Sequence, residues 1–294
     1  MNKNSKAILR DRVNQRNALL VPGAFNALSA RMIADLGFEA LYLSGAGLTN
    51  MYYGLPDLAF ISLRESLKLI VVEHTAAIRD AVEIPLIVDI DTGFGNALNV
   101  RQTIRALERA GADAVQIEDQ TFPKRCGHFA GKDVAPVEEM LSKIKAAVDA
   151  RQDANFQIIA RTDARAKYGL EAAIERAQKF SEAGADILFV EATESLEEVR
   201  SLTRLLDKPQ LMNIVIGGKT PALDQSELAE LGFGLVLYAN AAMQGATLGM
   251  QKALTQLKSN GRLDEDPSVV VSFSERQRLV NKPFFDELEK GYTY

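Results

Sequence analysis

The chain has 294 residues, with 34 Lys and Arg against 39 Asp and Glu for a formal charge of −5; with no block of like charge, that balance argues against nucleic acid or an anionic membrane as the main partner. One Cys and two His exclude an intrachain disulfide and cannot fill a zinc site of four cysteines, of paired Cys and His, or of three His. A bound metal would have to be held by carboxylates, which favours Mg2+, with Mn2+ as the alternative.

Residues 1–17 are polar and lack the apolar core of an export signal. No run of 18 apolar residues suggests a membrane span, so the expected location is cytoplasmic. Short aliphatic runs then predict eight strands, at 18–21, 40–44, 86–89, 114–118, 157–161, 187–190, 210–213 and 235–238. Most are uninterrupted rather than alternating, as in strands buried on both faces of a parallel sheet. Helical patterns lie between them. Those over 104–112 and 172–185 both end Ala-Gly-Ala, and Leu36-Gly37 and Leu231-Gly232 serve the same purpose, because glycine takes the left-handed cap that stops a helix.

Eight such βα units predict a TIM barrel, ahead of a doubly wound open sheet. Two connections are long, 45–61 and 119–136, a length typical of lids and binding loops. After the eighth strand come a helix over 241–257, a polar hinge to Pro267, and a last helix over 275–290 carrying Leu279, Phe284, Phe285 and Leu288. The expected organisation is a catalytic barrel over 1–260 and a helical extension over 261–294, whose apolar face must dock somewhere.

In a TIM barrel the chemistry sits where strands end. Here the ends read Tyr42-Leu43-Ser44-Gly45, Asp89-Ile90-Asp91, Glu118-Asp119, Arg161-Thr162-Asp163, Glu191, Asn213 and Tyr238-Ala239-Asn240. Asp89 and Asp91 are two apart and point the same way in extended chain. With Glu118 from the next strand they would repel unless a cation joins them, which points to a hard divalent ion. The competing reading makes Asp91 and Asp119 helix N-caps. Two phosphate-loop look-alikes fail. Gly93-Phe94-Gly95-Asn96 lacks the third glycine, and Gly217-Gly218-Lys219-Thr220 has Asn213 where a P-loop needs glycine.

The second long loop holds Lys124-Arg125-Cys126-Gly127-His128, with the one Cys and one of the two His. Neighbouring cations favour a thiolate and attract anions, so Cys126 reads as functional rather than as a buried apolar group. His74 lies in a helical run and reads as structural.

Together these stretches resemble the isocitrate lyase/phosphoenolpyruvate mutase superfamily over almost the whole chain, through Tyr42–Gly45, Gly54-Leu55-Pro56-Asp57, Val88–Gly95, Gln116–Gln120, the Lys124–His128 run, Ala160–Ala164, Glu191-Ala192 and Gly217–Pro221. The Lys-Arg-Cys-Gly-His run belongs to the lyase side, near the methylisocitrate and 2-alkylmalate (2,3-dimethylmalate) lyases. The resemblance implies Mg2+ held by Asp89, Asp91 and Glu118, partly through water. It implies a 2-oxoacid near Ser44, Gly45 and Asp57 with Arg161 on its oxygens. Lys124, Arg125, Gly127, His128, Glu191 and Asn213 complete the expected substrate site, under a lid bearing Cys126. A C-terminal helix exchanged between subunits of a dimer or tetramer is also implied. Departures fall beyond the 2-oxoacid half: Ile214–Gly218 follows Asn213 where methylisocitrate lyases carry Thr-Glu-Phe-Gly, Gln244 replaces a frequent Arg, and Phe273–Arg276 stands where relatives carry a Thr-Arg pair.

The expected reaction is carbon–carbon cleavage of a 2-hydroxy di- or tricarboxylate to a 2-oxoacid such as pyruvate plus a carboxylate. Tyr42 is the candidate base for the hydroxyl proton and Cys126 the acid for the departing carbon. The alternative is hydrolysis or decarboxylation of oxaloacetate on the same scaffold. Carbon–phosphorus chemistry and a non-catalytic dicarboxylate binder rank below it.

Overall fold

The computed structural model describes residues 4–58, 67–121, 124, 133–218, 220–221 and 223–292. Eight parallel strands, β1 (Leu19–Ala24), β2 (Leu41–Leu43), β3 (Leu86–Asp89), β4 (Ala114–Glu118), β5 (Gln157–Thr162), β6 (Ile187–Val190), β7 (Leu211–Asn213) and β8 (Leu235–Tyr238), form one sheet in the order β6-β5-β4-β3-β2-β1-β8-β7. β1 pairs with both β2 and β8, and β6 meets β7 through a single Leu188–Gln210 bridge, so the sheet curls into a TIM barrel. Every expected strand is present.

Side chains alternate along each strand, and this parity sorts the barrel. One set, including Leu86, Val88, Val115, Ile158 and Leu188, packs under the surrounding helices. The other set points inward: Leu19, Val21, Tyr42, Ile87, Ala114, Ile159, Ile187, Phe189, Leu211, Leu235 and Leu237 fill the lumen. Gly23 on β1 faces the opposite strand so closely that a Cβ there would lie 1.9 Å from the Ala239 carbonyl oxygen. Only glycine lets β1 and β8 approach at this level.

Two elements differ from the sequence reading. Helix α1 (Ser5–Asn14) buries Leu9 and Val13 against the lumen residues and plugs the N-terminal end of the barrel; its polar composition hides two apolar contacts. The connection expected as a loop from residue 45 begins as helix α3 (Gly45–Tyr53), capped by the Ser44 hydroxyl, which accepts from the Gly47 amide at 3.1 Å, and ended by Gly54 at φ 64°.

The remaining helices follow the βα rhythm: α2 (Ala27–Asp35), α4 (Leu67–Ala81), α5 (Ala97–Arg109), α6 (Val137–Ala150), α7 (Arg165–Glu182), α8 (Leu196–Leu205), α9 (Gln225–Glu230) and α10 (Ala241–Asn260). The single last helix expected is instead two, α11 (Phe273–Leu279) and α12 (Lys282–Tyr292), broken by Asn281 at φ 58°. Pro283 explains the break. Inside a continuous helix it would remove a hydrogen bond and clash with the carbonyl one turn back, whereas it fits the first turn of a new one. Arg278 of α11 ties this segment to α2 through Asp35, at 2.7 and 2.6 Å. Phe284, Phe285 and Leu288 on α12 remain exposed. No helix among the described residues is long and apolar enough to cross a membrane.

Candidate active site

The inward parity continues past the lumen core and changes character. On β4 the series runs Ala114, Gln116, Glu118; on β5 it runs Ile159, Arg161, Asp163; on β3 it runs Ile87, Asp89, Asp91. Apolar side chains hold the lower layers, and charged ones occupy the C-terminal rim. Register brings Asp89 beside Gln116 and Glu118 beside Arg161. A cavity is lined there by Tyr42, Ser44, Asp89, Glu118, Arg161 and Glu191, with Asp57 and Lys124 reaching in from loops.

Arg161 is the hub. Its Nε and Nη2 donate to the two oxygens of Asp163 at 2.9 and 3.1 Å, while Nη1 lies 3.3 Å from Glu118 and 3.5 Å from Glu191. The guanidinium also sits 5.2 Å from the Phe189 ring centroid. Burial opposes its charge, but Asp163, Glu118 and Glu191 outweigh burial and keep it protonated. Glu191 is fixed in turn by the Ala192 amide (2.9 Å) and by Asn213 Nδ2 (3.2 Å).

The carboxylate cluster lies beside this hub. Asp89 accepts from the Asp91 amide at 3.0 Å, and Gly45 presents its amide to Asp89 at 3.4 Å. Lys124 Nζ lies 2.6 Å from Asp91 and 2.8 Å from Asp57. Burial pushes the Asp91 carboxyl up to about 6, against the pull of Lys124, and lifts Glu118 well above the usual range. Among the described residues, Asp57, Asp89, Asp91 and Glu118 gather at this cavity around Lys124 and Arg161. Such an excess of buried negative charge calls for further cations or protons.

Several buried polar atoms of this region lack a partner: Glu118 Oε1, Gln116 Nε2, Asn213 Oδ1 and Asn240 Oδ1. Buried polar groups are nearly always satisfied, so this cluster marks a place built for something else. Left-handed backbone at Asp91 (φ 47°), Phe94 (φ 60°) and Ala192 (φ 59°) lies on the same rim, where strain typically accompanies function.

The capping alternative fails for both aspartates. Helix α5 is capped by Asn96 in a reciprocal box with Asn99, and α6 begins after Pro136 without a side-chain cap. Asp91 is left to the cluster. Asp119 has a structural part, accepting from Thr162 (2.7 Å), the Asp163 amide (2.9 Å) and Arg176 (2.9 Å).

Tyr42 fits poorly as a base. Its hydroxyl donates to Gln116 Oε1 at 2.5 Å, and burial, followed by Asp89, pushes its pKa well above 10. It keeps its proton and positions Gln116. His74 Nδ1 lies 2.9 Å from the Ile70 carbonyl oxygen inside α4, as a structural histidine would. Arg125, Cys126, Gly127, His128 and Lys219 lie outside the described residues. The sequence reading missed Gln116 and Asp163, though both share the inward parity of Glu118 and Arg161, which was signal enough to find them.

A profile of the phosphoenolpyruvate phosphomutase family matches residues 9–258. The chain belongs to this family, within the isocitrate lyase/phosphoenolpyruvate mutase superfamily. The family member described here is 39% identical over 290 residues to a 2,3-dimethylmalate lyase of Eubacterium barkeri, covering 99% of both chains. It is 44% identical over 254 residues to a 2-methylisocitrate lyase of Aeropyrum pernix, covering 86% of this chain and 80% of that one. Its fold superposes on a phosphonopyruvate hydrolase solved with oxalate and Mg2+, with a TM-score of 0.87, 30% identity and 99% coverage of both chains. With lyases as relatives across its length, the chain is a carbon–carbon lyase of this superfamily.

The residues present fit a divalent ion. Asp89, Asp91 and Glu118 are hard oxygen donors, and Glu118 Oε1 is buried without a partner. Among the described residues no group of three His, Cys, Asp or Glu side chains stands close enough together to hold one ion.

Proposed function

We propose that this enzyme is a Mg2+-dependent lyase, with Mn2+ as a substitute. It cleaves the C2–C3 bond of a 2-hydroxy di- or tricarboxylate, releasing a 2-oxoacid such as pyruvate and a carboxylate. The observation that carries this reading is the group Asp89, Asp91 and Glu118 gathered beside Arg161 at the barrel rim, with Glu118 Oε1 buried and unpartnered. Asp89, Asp91 and Glu118 would hold the ion, whose chemistry is to withdraw charge from the oxygens of the 2-oxoacid.

The chain's own residues do the rest. Arg161, locked by Asp163, offers fixed positive charge to the developing oxyanion without reorganising. Gly45 turns its amide to Asp89, and Ser44, which caps α3, lines the cavity beside it. The hydroxyl proton passes to a rim carboxylate that does not hold the ion, since Tyr42 keeps its own proton. The C2–C3 electron pair moves to C3, and Cys126, on the loop after β4, returns a proton there as the 2-oxoacid departs. Lys124, Arg125, Gly127 and His128 form the anion-binding part of that loop. Glu191 and Asn213 close the substrate site across the barrel.

A panel of 2-methylisocitrate, 2-alkylmalates, 2,3-dimethylmalate, oxaloacetate and phosphonopyruvate, offered to chelated enzyme with and without Mg2+, tests this reading by 2-oxoacid release. Full turnover without metal would sink it. Cys126→Ser should slow carbon–carbon cleavage by ~10²–10⁴-fold, the usual worth of general acid catalysis. The rival reading, hydrolysis or decarboxylation of oxaloacetate, gains from the likeness to an oxaloacetate acetylhydrolase structure, with a TM-score of 0.91 and 30% identity. It expects a much smaller loss in that variant, because water can supply the proton.

The exposed Phe284, Phe285 and Leu288 support a second copy covering α12, in a cytoplasmic dimer or tetramer with 261–294 as an exchanged extension. Phe284→Glu with Phe285→Glu should lower the mass in light scattering; an unchanged mass removes α12 from the interface.

A further inference from the structure

Resting on the reading of the rim carboxylates as a metal centre, we propose that Lys124 is the resident cation of that cluster and that a divalent ion must displace its ammonium from Asp91. Three separate segments meet at this side chain. Lys124 comes from the connection after β4, Asp91 from the end of β3, and Asp57 from the connection after α3. The ammonium lies 2.6 Å from Asp91 Oδ1 and 2.8 Å from Asp57 Oδ1, and only 6% of the residue is exposed. It is a buried ion-pair centre rather than a surface contact, so solvent screening is weak.

Geometry sets the conflict. A Mg2+ ion sits about 2.0–2.1 Å from its oxygen ligands. An ion on Asp91 Oδ1 would share one oxygen with an ammonium already in contact, placing three positive charges within a few ångströms in a poorly screened site. The spacing of the carboxylates agrees. Among the described residues they do not converge on one point, and Lys124 lies between two of them. Glu118 keeps an unpartnered oxygen nearby. Metal affinity therefore carries the cost of moving Lys124, and by reciprocity the bound metal biases the connection that Lys124 anchors. With metal on Asp91, the ammonium retains Asp57 and turns its remaining donors to the incoming anionic substrate. Metal should accordingly bind before substrate.

The test uses full-length, chelator-stripped, substrate-free protein titrated calorimetrically with Mg2+ and with Mn2+. Lys124→Gln keeps a hydrogen-bonding side chain, one atom shorter, but removes its charge, and should bind either ion at least tenfold more tightly than wild type. An equal or weaker affinity overturns the proposal. The second readout needs no variant: acylation of wild-type Lys124 by a water-soluble amine reagent, followed by peptide mass spectrometry, should quicken several-fold when Mg2+ saturates the protein. An equal or slower rate also overturns it. Wild-type and variant proteins that bind neither ion would defeat the metal-centre reading itself, whereas tight binding unchanged by the substitution defeats only the role given to Lys124.

Discussion

The two ends of the barrel treat buried charge in opposite ways. At the N-terminal end, Asp113 accepts from Ser5 Oγ (2.5 Å), Arg79 Nη2 (2.5 Å) and the Leu86 amide (2.8 Å). Asp186 repeats the device two strands on, with Arg151 Nη1 (2.7 Å) and the Ile158 amide (2.9 Å). Each arginine also caps a backbone carbonyl, Gly111 and Phe156 respectively. At the C-terminal end, among the described residues, carboxylates outnumber cations, and Glu118, Gln116, Asn213 and Asn240 keep buried atoms unpaired. Satisfied charge fastens strands to helices; unsatisfied charge waits for a ligand. The cost of one end is offset by the other, as in a fold that concentrates its frustration where chemistry happens.

Substitution at each end should separate stability from activity. The largest effect is expected for Glu118→Gln: kcat/KM should fall by about 10³-fold, the order seen when a transition-state electrostatic partner is lost. Its melting temperature should change little, since Asp163 and Glu191 still hold Arg161. A large loss of stability would place Glu118 among the structural groups. Asp113→Asn should do the reverse. Breaking a buried ion pair on one side costs about 3–5 kcal/mol, so thermal unfolding should shift downward by several degrees while kcat/KM of the folded enzyme stays within about twofold. Lost turnover at full stability would erase the contrast.

The smallest and most graded effect is in pH. Burial raises the Asp91 carboxyl to about 6, so it holds its proton to a higher pH than an ordinary aspartate. Above that value it is ionised and pairs with Lys124, which a divalent cation must displace. Below it, proton and metal compete, and Mg2+ affinity should weaken by up to about tenfold per pH unit. A titration series from pH 7 to 5 checks this; flat affinity across the range would exclude Asp91 as a ligand.

Much of this contrast was legible beforehand. The eight strands could be read because aliphatic runs buried on both faces are unmistakable, and because Gly37, Gly111, Gly184 and Gly232 mark helix ends with left-handed caps. Asp89, Asp91, Glu118 and Arg161 could be read as a group because each follows such a run. Pairing between distant residues was not legible. Nothing local says that Lys124 meets Asp57 across 67 positions, or that Tyr42 spends its hydroxyl on Gln116 rather than on a substrate. Helix α1 escaped notice because only Leu9 and Val13 face the lumen, and α3 because its start, Gly45-Ala46-Gly47, reads as loop until Ser44 is seen to cap it.

The junction of β6 and β7 has a consequence for motion. Neighbouring strands elsewhere share ladders of two to five residue pairs, whereas these two meet at the Leu188–Gln210 bridge, with the Leu188 amide bonded to the Pro209 carbonyl. Above that point, Glu191 and Asn213 join across the gap by one hydrogen bond of 3.2 Å. The least-stitched line of the wall therefore runs through the active site. In hydrogen–deuterium exchange the amides of 211–213 should open at lower free energy than those of β4 or β5. A ligand gripping Glu191 and Asn213 together would act as a suture, slowing exchange along a seam that the backbone alone leaves loosely sewn.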